Sequence, residues 1–266
     1  KLSDYVITEA GFGSDLGAEK FFDIKCRSAK LKPNAIVLVV TTKALKHQGG
    51  ALKENIQTES LETMKRGFSN LEAHLENMSK FTKNIVVALN QYPTDTEDEI
   101  NLIKQMVQEK GFAFSGFSSY QEGGEGAISL AKEVMNLCKN KKDFHLLYPS
   151  KMSLYQKIEV LSREIYHATS ISISDSIRKK LQTYEEMGYQ DFPICVAKTQ
   201  YSISDNPKLL GYPKDYELVV SDVNIYTGAK FVVVYLGKIV TMPGLSKNPN
   251  YEQIDIDNNN KIKGLF

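Results

Sequence analysis

The chain lacks the features that mark nucleic-acid-binding, membrane and secreted proteins. Its formal net charge is only +1 over 266 residues, so its bulk charge draws it to neither nucleic acid nor an anionic membrane. No apolar run approaches the roughly 20 residues of a membrane-spanning helix, and the first residues lack the apolar stretch of a signal peptide. We therefore expect neither a nucleic-acid nor a membrane partner.

Cysteine is scarce, which argues against a disulfide framework or a structural zinc site. The three cysteines, Cys26, Cys138 and Cys195, are far apart, and neither they nor the four histidines show a metal-ligand spacing. We expect no tightly bound metal, and reduced thiols are typical of a cytoplasmic protein. Lys25 and Arg27 flank Cys26 and would lower its pKa if the thiol were exposed, whereas a packed thiol is the simpler interpretation.

Two further absences bear on ligand binding. The chain contains no tryptophan, the side chain with the largest aromatic surface for stacking. It also contains no G-x-x-x-x-G-K-[ST] sequence, the loop that cradles nucleotide phosphates in many enzymes. These residues therefore lack the phosphate cradle that ATP-dependent phosphoryl transfer requires.

What the chain does have is a glycine-rich loop near its start. Gly11, Gly13 and Gly17 lie between the strand-like segment Asp4–Thr8 and a helix-like segment that ends near Arg27. A loop of this kind either closes a strand–helix unit as a tight turn or holds an anion at the helix N-terminus. The spacing matches no standard phosphate-binding motif, so both interpretations stay open.

The first half of the chain, residues 1–143, alternates strand and helix patterns. Two continuous apolar runs, Ala35–Thr41 and Asn84–Asn90, are typical of strands buried on both faces. Apolar residues at three- and four-residue steps predict helices at Asn55–Lys80, Glu97–Glu109 and Ala127–Lys139. Strands separated by helices indicate an α/β region with a parallel sheet flanked by helices.

The second half, residues 144–266, follows the polar run at 140–143 and has a different pattern. Two helices come first and three strands follow: Ser153–Tyr166, Ser174–Met187, Ile194–Ala197, Tyr216–Asn224 and Lys230–Leu236. This order predicts a smaller, mixed α+β region. The apolar end, Leu265–Phe266, is expected to dock back onto the body of the protein.

Ligands of parallel sheets bind beyond the carboxyl ends of the strands, where three loops are predicted: Thr41–Gly50, Asn90–Asp98 and Ser118–Gly126. Tyr92 and Tyr120 each stand just outside a strand. They either sandwich a flat heteroaromatic ligand or cap the edge of the core.

The first of these loops is basic. Lys43, Lys46 and His47 precede Gly49 and Gly50. Such a loop could meet a phosphate or an acidic substrate tail, but exposed lysines are more often only solvated charge. We expect the second interpretation to hold.

Longer strings carry a resemblance to a known family. They are Ala10–Arg27 (AGFGSDLGAEKFFDIKCR), Pro193–Asp205 (PICVAKTQYSISD), Thr241–Leu245 (TMPGL) and Gly264–Phe266 (GLF). They resemble, in order, signature segments of the formate–tetrahydrofolate ligase family (formyltetrahydrofolate synthetase). The resemblance implies the C-terminal half of such an enzyme, with a missing N-terminal portion of comparable size that holds the phosphate loop. Residues 1–143 would then be part of a P-loop NTPase-like domain.

The resemblance implies an ATP-dependent ligase that forms 10-formyltetrahydrofolate through formyl phosphate. Its substrates would be formate, tetrahydrofolate and ATP with Mg²⁺, and its partners the missing portion and further copies of itself in a tetramer. The matching positions for tetrahydrofolate are Phe12, Tyr92, Pro93, Tyr120, Gly123, Gly124 and Gly126, and those for the nucleotide are Thr199, Tyr201 and Ser202. No residue of this half is assigned a catalytic role. The family usually has phenylalanine and tryptophan where this chain has Tyr92 and Tyr120. The alternative is a noncatalytic folate-binding or assembly module.

Overall fold

The computed structural model describes residues 2–141, 143–237, 239, 247–258 and 261–264. The string Thr241–Leu245 and the terminal Leu265–Phe266 lie outside the described residues, so the expected docking of the chain end stays a prediction.

The strands of the described residues are β1 (Ile36–Val40), β2 (Ile85–Asn90), β3 (Ala113–Phe117), β4 (Ser170–Ser172), β5 (Ile194–Ala197), β6 (Glu217–Tyr226), β7 (Phe231–Leu236), β8 (Asp255–Ile256) and β9 (Ile262–Lys263). The α-helices are α1 (Gly17–Lys20), α2 (Arg27–Ala29), α3 (Thr42–Gln48), α4 (Leu61–Ser79), α5 (Glu97–Glu109), α6 (Ser119–Glu122), α7 (Ile128–Leu137), α8 (Leu154–Glu164) and α9 (Asp175–Tyr184). π-Helical segments follow α1 at Phe21–Cys26 and α9 at Glu185–Tyr189, and short 3₁₀ turns lie at Lys53–Asn55, Glu125–Ala127 and Asn250–Gln253.

The first sheet is parallel, in the order β1-β2-β3, which confirms the α/β class. β2 is the central strand, and its apolar residues from Ile85 to Leu89 are all buried, as the continuous apolar run predicts. α4 and α5 contact each other, and they pack against β1 and β3, respectively. α7 packs against β2 and β3.

The second sheet is mixed, in the order β4-β6-β7-β5, with β6 antiparallel to β7 and the other pairs parallel. α8 contacts β4 and β5, and α9 contacts β6. The predicted α+β character of the second half is therefore present. Buried side chains of both halves form one hydrophobic cluster, and Asn77 on α4 donates from Nδ2 to Ile165 O at 2.8 Å, across the boundary that the sequence suggests.

Three local predictions were wrong. Asp4–Thr8 has no regular secondary structure and pairs with no described strand, and a segment of β-rich composition forms a strand only when it pairs with another one. The helix predicted from Asn55 begins at Leu61, where the Ser60 hydroxyl accepts from Thr63 N–H. The residues that follow β1 form α3, capped by Thr41, rather than an open loop. The helix predicted over Ser174–Met187 is present as α9, which continues as the π-helical segment Glu185–Tyr189.

Candidate functional site

The carboxyl edge of the first sheet brings the segments that follow its three strands together. Asp95 links the first two, because its Oδ1 accepts from Thr42 Oγ1 at 2.5 Å and its Oδ2 accepts from Tyr92 N–H at 2.9 Å. Gln91 N–H donates to Phe117 O at 2.9 Å and ties the second segment to the third. This convergence is the arrangement that parallel topology predicts for a ligand crevice.

Tyr92 is half-buried at this edge, next to the exposed Pro93. Lys43 Nζ lies 4.1 Å from the centroid of the Tyr92 ring, which places a cation over one face of that ring. Thr96 begins α5 with a capping box, its hydroxyl accepting from Glu99 N–H. One face of the Tyr92 ring is therefore covered by a cation, and Lys43 is not merely a solvated charge.

Lys46 has a different role from the one that its sequence neighbourhood suggests. Its side chain is buried, and its Nζ lies 2.9 Å from Glu99 Oε1 and 3.2 Å from Thr58 O. The same Glu99 oxygen accepts from Ser60 N–H at 3.2 Å. The prediction of a solvated Lys46 was therefore wrong. The pair instead joins α3, α5 and the start of α4, while His47 is exposed.

The third segment carries Tyr120 on the short helix α6, with its side chain 90% exposed. Gly126 is packed against Ser118, where a Cβ would lie 2.8 Å from the Ser118 carbonyl, and Gly123 has a φ of +59°. These two positions require glycine, whereas a Cβ at Gly124 would meet open space. Within the part of the chain that the structure describes, no ring contact joins Tyr120 to Tyr92. The clamp of two tyrosines therefore stays a prediction.

The glycine-rich loop forms a tight turn, the structural alternative left open by the sequence. Leu16 N–H and Gly17 N–H both donate to Gly13 O, at 3.0 and 2.9 Å. Phe12 has a φ of +60° and is 80% exposed, so it lies outside the core. The loop and α1 also carry buried carboxylates, described below, which disfavour an anion at this terminus.

Two of the strings that carry the family resemblance meet in space. Asp15 Oδ2 of the first lies 2.8 Å from Lys198 Nζ of the second, and both side chains are buried. The hydroxyl of Tyr166 donates to Asp15 O at 3.2 Å, and Ser14 Oγ lies 2.7 Å from His74 Nδ1. Burial lowers the pKa of His74, and it lowers the pKa of Lys198 although Asp15 opposes that shift. Sequence patterns missed this contact because its partners lie in different halves of the chain.

A stripe of buried carboxylates runs along the same segment. Asp15, Glu19 and Asp23 recur at four-residue steps in the turn before α1, in α1 and in the π-helical segment, and all three are buried. Asp23 pairs with Arg27 at 2.9 Å, but neither carboxylate oxygen of Glu19 has a hydrogen-bond partner among the described residues. Burial raises the pKa of Glu19 to about 8 and, against the effect of Arg27, that of Asp23 to about 6. Acids at four-residue steps within an apolar segment were the sequence signal for this stripe.

The three predicted nucleotide-binding residues differ in accessibility. Tyr201 is exposed and Thr199 is half-buried, with Thr199 Oγ1 accepting from Tyr201 N–H at 3.3 Å. Ser202 is buried, and its hydroxyl donates to Leu209 O at 2.6 Å. The buried Lys198 Nζ donates to the carbonyl oxygens of Thr199 and Ser202 and so holds the loop that follows β5 in place. Of the three, Tyr201 and Thr199 have side chains that reach the surface.

No group of three or more His, Cys, Asp or Glu side chains among the described residues has the geometry to hold a metal ion. The three cysteines are free, and burial raises the pKa of Cys26 to about 11, which confirms the packed-thiol interpretation. None of the described helices is both long enough and apolar enough to span a bilayer.

Comparison with known proteins identifies the family. The model of the formate–tetrahydrofolate ligase family matches residues 1–266. A formate–tetrahydrofolate ligase from Pelagibacter ubique (strain HTCC1062) is 45% identical over 267 residues, which cover 100% of this chain and 48% of that relative. The chain thus spans about half the length of this curated relative. A match along its whole length, at this identity, shows that the chain belongs to the formate–tetrahydrofolate ligase family.

Proposed function

We propose that the chain is the C-terminal half of an ATP-dependent ligase that forms 10-formyltetrahydrofolate from formate and tetrahydrofolate. The family match over residues 1–266 carries this proposal. The sheet of β1, β2 and β3 would be part of a P-loop NTPase-like domain. The other half would supply the phosphate loop, because no such sequence occurs in these 266 residues. The enzyme would act in the cytoplasm as a homotetramer, with ATP as its Mg²⁺ complex.

The reaction has two steps in this proposal. A formate oxygen attacks the γ-phosphorus of ATP, the bond to the β-phosphate oxygen breaks, and ADP and formyl phosphate result. N10 of tetrahydrofolate then attacks the formyl carbon, the carbon–oxygen bond to phosphate breaks, and N10 loses its proton. Binding the two substrates side by side supplies proximity and keeps water from the labile intermediate.

Within this reaction, the chain's part is to position tetrahydrofolate. The pocket would be formed by Tyr92, Pro93 and Tyr120 at the carboxyl edge, by Phe12, and by the loop that contains Gly123, Gly124 and Gly126. Three features support it: the segments converge, Tyr120 and Phe12 expose their rings, and Tyr92 has one face covered by Lys43. An exposed aromatic face outside a parallel strand suits a flat pterin. Lys43 is the base at this edge that can meet an anionic group of the substrate.

The nucleotide would lie against the loop that follows β5. Tyr201 and Thr199 are the residues that would contact adenine, because their side chains reach the surface. Ser202 would act through the shape of the loop, since its hydroxyl is already bonded to Leu209 O.

A second function, a noncatalytic folate-binding or assembly module, is favoured by one observation. The 266 residues contain no phosphate-binding loop. Such a module would bind tetrahydrofolate with the same tyrosines but would not gain ligase activity when the other half is supplied.

The test measures tetrahydrofolate binding and ligase activity of the chain mixed with the unmatched half of the P. ubique relative. Tyr92→Ala and Tyr120→Ala should each weaken tetrahydrofolate binding roughly two- to tenfold, the range for one stacked ring. Tyr251→Ala, an exposed tyrosine outside the crevice, is the matched control and should leave binding unchanged. The double variant should be non-additive, because a sandwich that lacks one face has already lost its geometry.

If both alanine variants bind tetrahydrofolate normally, the proposal that Tyr92 and Tyr120 form the tetrahydrofolate pocket is refuted. Binding without formylation, even with the other half present, would select the noncatalytic module.

A further inference from the structure

The edge strand β1 has an uncovered side that the rest of the fold does not explain. Side chains at alternate positions, Val37 and Val39, are 38% and 57% exposed, although the run is as apolar as that of buried β2. Parallel sheets are normally covered by helices on both faces. Exposed valines on such a strand therefore mark a place where a covering layer is missing.

The register shows which layer is missing. Val37 pairs with Val86 and Val39 with Ala88, so these four residues lie on the same face of the sheet. Val86 and Ala88 are fully buried, and α7 packs against their strand β2 and its neighbour β3. Among the described elements, none takes the equivalent position over β1.

The backbone of β1 is open at the same place. Ile36 N–H donates toward β2, to Asn84 O at 2.8 Å. Because backbone groups of a parallel strand alternate in direction, the N–H and C=O groups of Val37 and Val39 point to the other edge. No described strand pairs with that edge. A long apolar edge of this kind is a template for a further strand.

A second segment in the chain has strand composition and no sheet. Leu2, Tyr5, Val6 and Ile7 are exposed, and the chain from Asp4 to Glu9 has neither regular secondary structure nor a described strand partner. The glycine-rich turn then anchors the chain through Ser14 and Asp15. An apolar β-rich segment in water is unfavourable, so its sequence suits a place within a sheet.

We propose that the open edge and face of β1, together with the segment 4–9, form the surface on which the other half of the ligase docks and continues the first sheet with its own strands. This inference rests on the proposed function, because the occupant is the half of the relative's length that the chain does not match. A further strand would pair with the free backbone groups of β1, and a helix would cover its apolar face, so the occupant that fits this surface is a polypeptide. A small ligand would satisfy neither.

The test is association of the chain with the unmatched half of the P. ubique relative, followed by residue-resolved hydrogen exchange. The amides of Val37 and Val39 should exchange quickly in the free chain and at least tenfold more slowly in the complex. Leu38 and Val40, whose N–H groups already face β2, are internal controls. Amides in the segment 4–9 should become protected in the same complex.

Two variants make the surface falsifiable. Val39→Lys should leave the melting temperature of the isolated chain unchanged, because the side chain is exposed, and should weaken association at least tenfold. Val219→Lys places the same change on an exposed valine of β6 and should alter association less than twofold. The proposed docking surface would be refuted by any of three results: the two halves do not associate, the Val37 and Val39 amides stay unprotected, or both variants weaken association equally. A complex with protected β1 that does not formylate tetrahydrofolate would keep the surface and refute the proposed reaction.

Discussion

The buried carboxyl group of Glu19 makes the stability of this chain depend on pH in a predictable way. Its oxygens have no hydrogen-bond partner among the described residues, and burial raises its pKa from an ordinary 4.5 to about 8. The charged groups around it are Lys20 and Arg27, which oppose the shift, and Asp15 and Asp23, which add to it. The folded chain therefore keeps a proton on Glu19 at neutral pH, whereas the unfolded chain releases it.

The linkage between proton binding and folding gives the sign and size of this pH dependence. Between pH 4.5 and 8 the Glu19 carboxyl group binds more protons in the folded state than in the unfolded state, so its contribution to the free energy of unfolding falls as the pH rises. At about 1.4 kcal/mol per pKa unit, ionising Glu19 in the unfolded state costs the fold about 3 kcal/mol at pH 7. That is a large share of the roughly 5–15 kcal/mol that stabilises a typical domain.

Glu19→Gln removes this dependence, because an amide of nearly the same shape does not titrate. The wild type should lose about 2 kcal/mol more than the variant between pH 6 and pH 8. Comparing the change with pH, not the absolute stability, is necessary, because an unpaired buried amide also costs about 1–3 kcal/mol. Asp23 interacts electrostatically with Glu19, so the difference between the two proteins also contains the change in Asp23, whereas groups that do not interact with Glu19 cancel.

The measurement is urea unfolding at intervals from pH 5.5 to 8.5, extrapolated linearly to water. Glu54→Gln changes an exposed glutamate and is the matched control, whose curve should run parallel to that of the wild type. Parallel curves for the wild type and Glu19→Gln would refute the reasoning, since Glu19 would then not be a buried, unpaired carboxyl group in the folded chain.

Three further outcomes follow from burial and pairing. Phe12→Ala should leave the melting temperature nearly unchanged, because the ring is exposed, whereas truncating a core aromatic would lower the free energy of unfolding by about 3–5 kcal/mol. In the complete enzyme the same variant should raise the Michaelis constant for a substrate. A large fall in melting temperature with normal kinetics would contradict this prediction. Lys46→Met should destabilise the chain by about 3–5 kcal/mol, as measured by chemical unfolding, because it leaves Glu99 buried and uncompensated, and adding Glu99→Leu should restore most of that loss. Cys26 should react with iodoacetamide at pH 8 far more slowly than the less buried Cys138, as followed by peptide mass spectrometry, because its raised pKa leaves little thiolate; equal rates would disprove its burial.

The elements with a strong local pattern were predictable from sequence. β2 is a continuous apolar run bounded by polar residues, and α5 begins at a Thr96–Glu99 capping box with acids in its first turn. In both cases the residues that define the element lie within it. The same holds for the packed Cys26 thiol, whose segment is rich in apolar residues.

Elements defined by distant partners were not predictable in the same way. β3, with the sequence AFSGF, has a weak strand pattern and is fixed by its pairing with β2. The segment 4–8 has a strong pattern but no described partner, so it forms no strand. A β-strand forms only when its backbone groups pair with those of a neighbouring strand, and the composition of a segment does not show whether such a neighbour is present.

The sequence by itself therefore determined the α/β class, the positions of most helices and strands, the order of the loops at the carboxyl edge and the formate–tetrahydrofolate ligase family. Only the tertiary structure decided that Lys46 is buried against Glu99, that Asp15 meets Lys198 and that Glu19 is left without a partner. The reason is physical: periodicity records which side of an element is apolar, whereas the partner of a buried charge is set by which elements pack together. Charges taken out of water must find that partner in three dimensions or change their protonation.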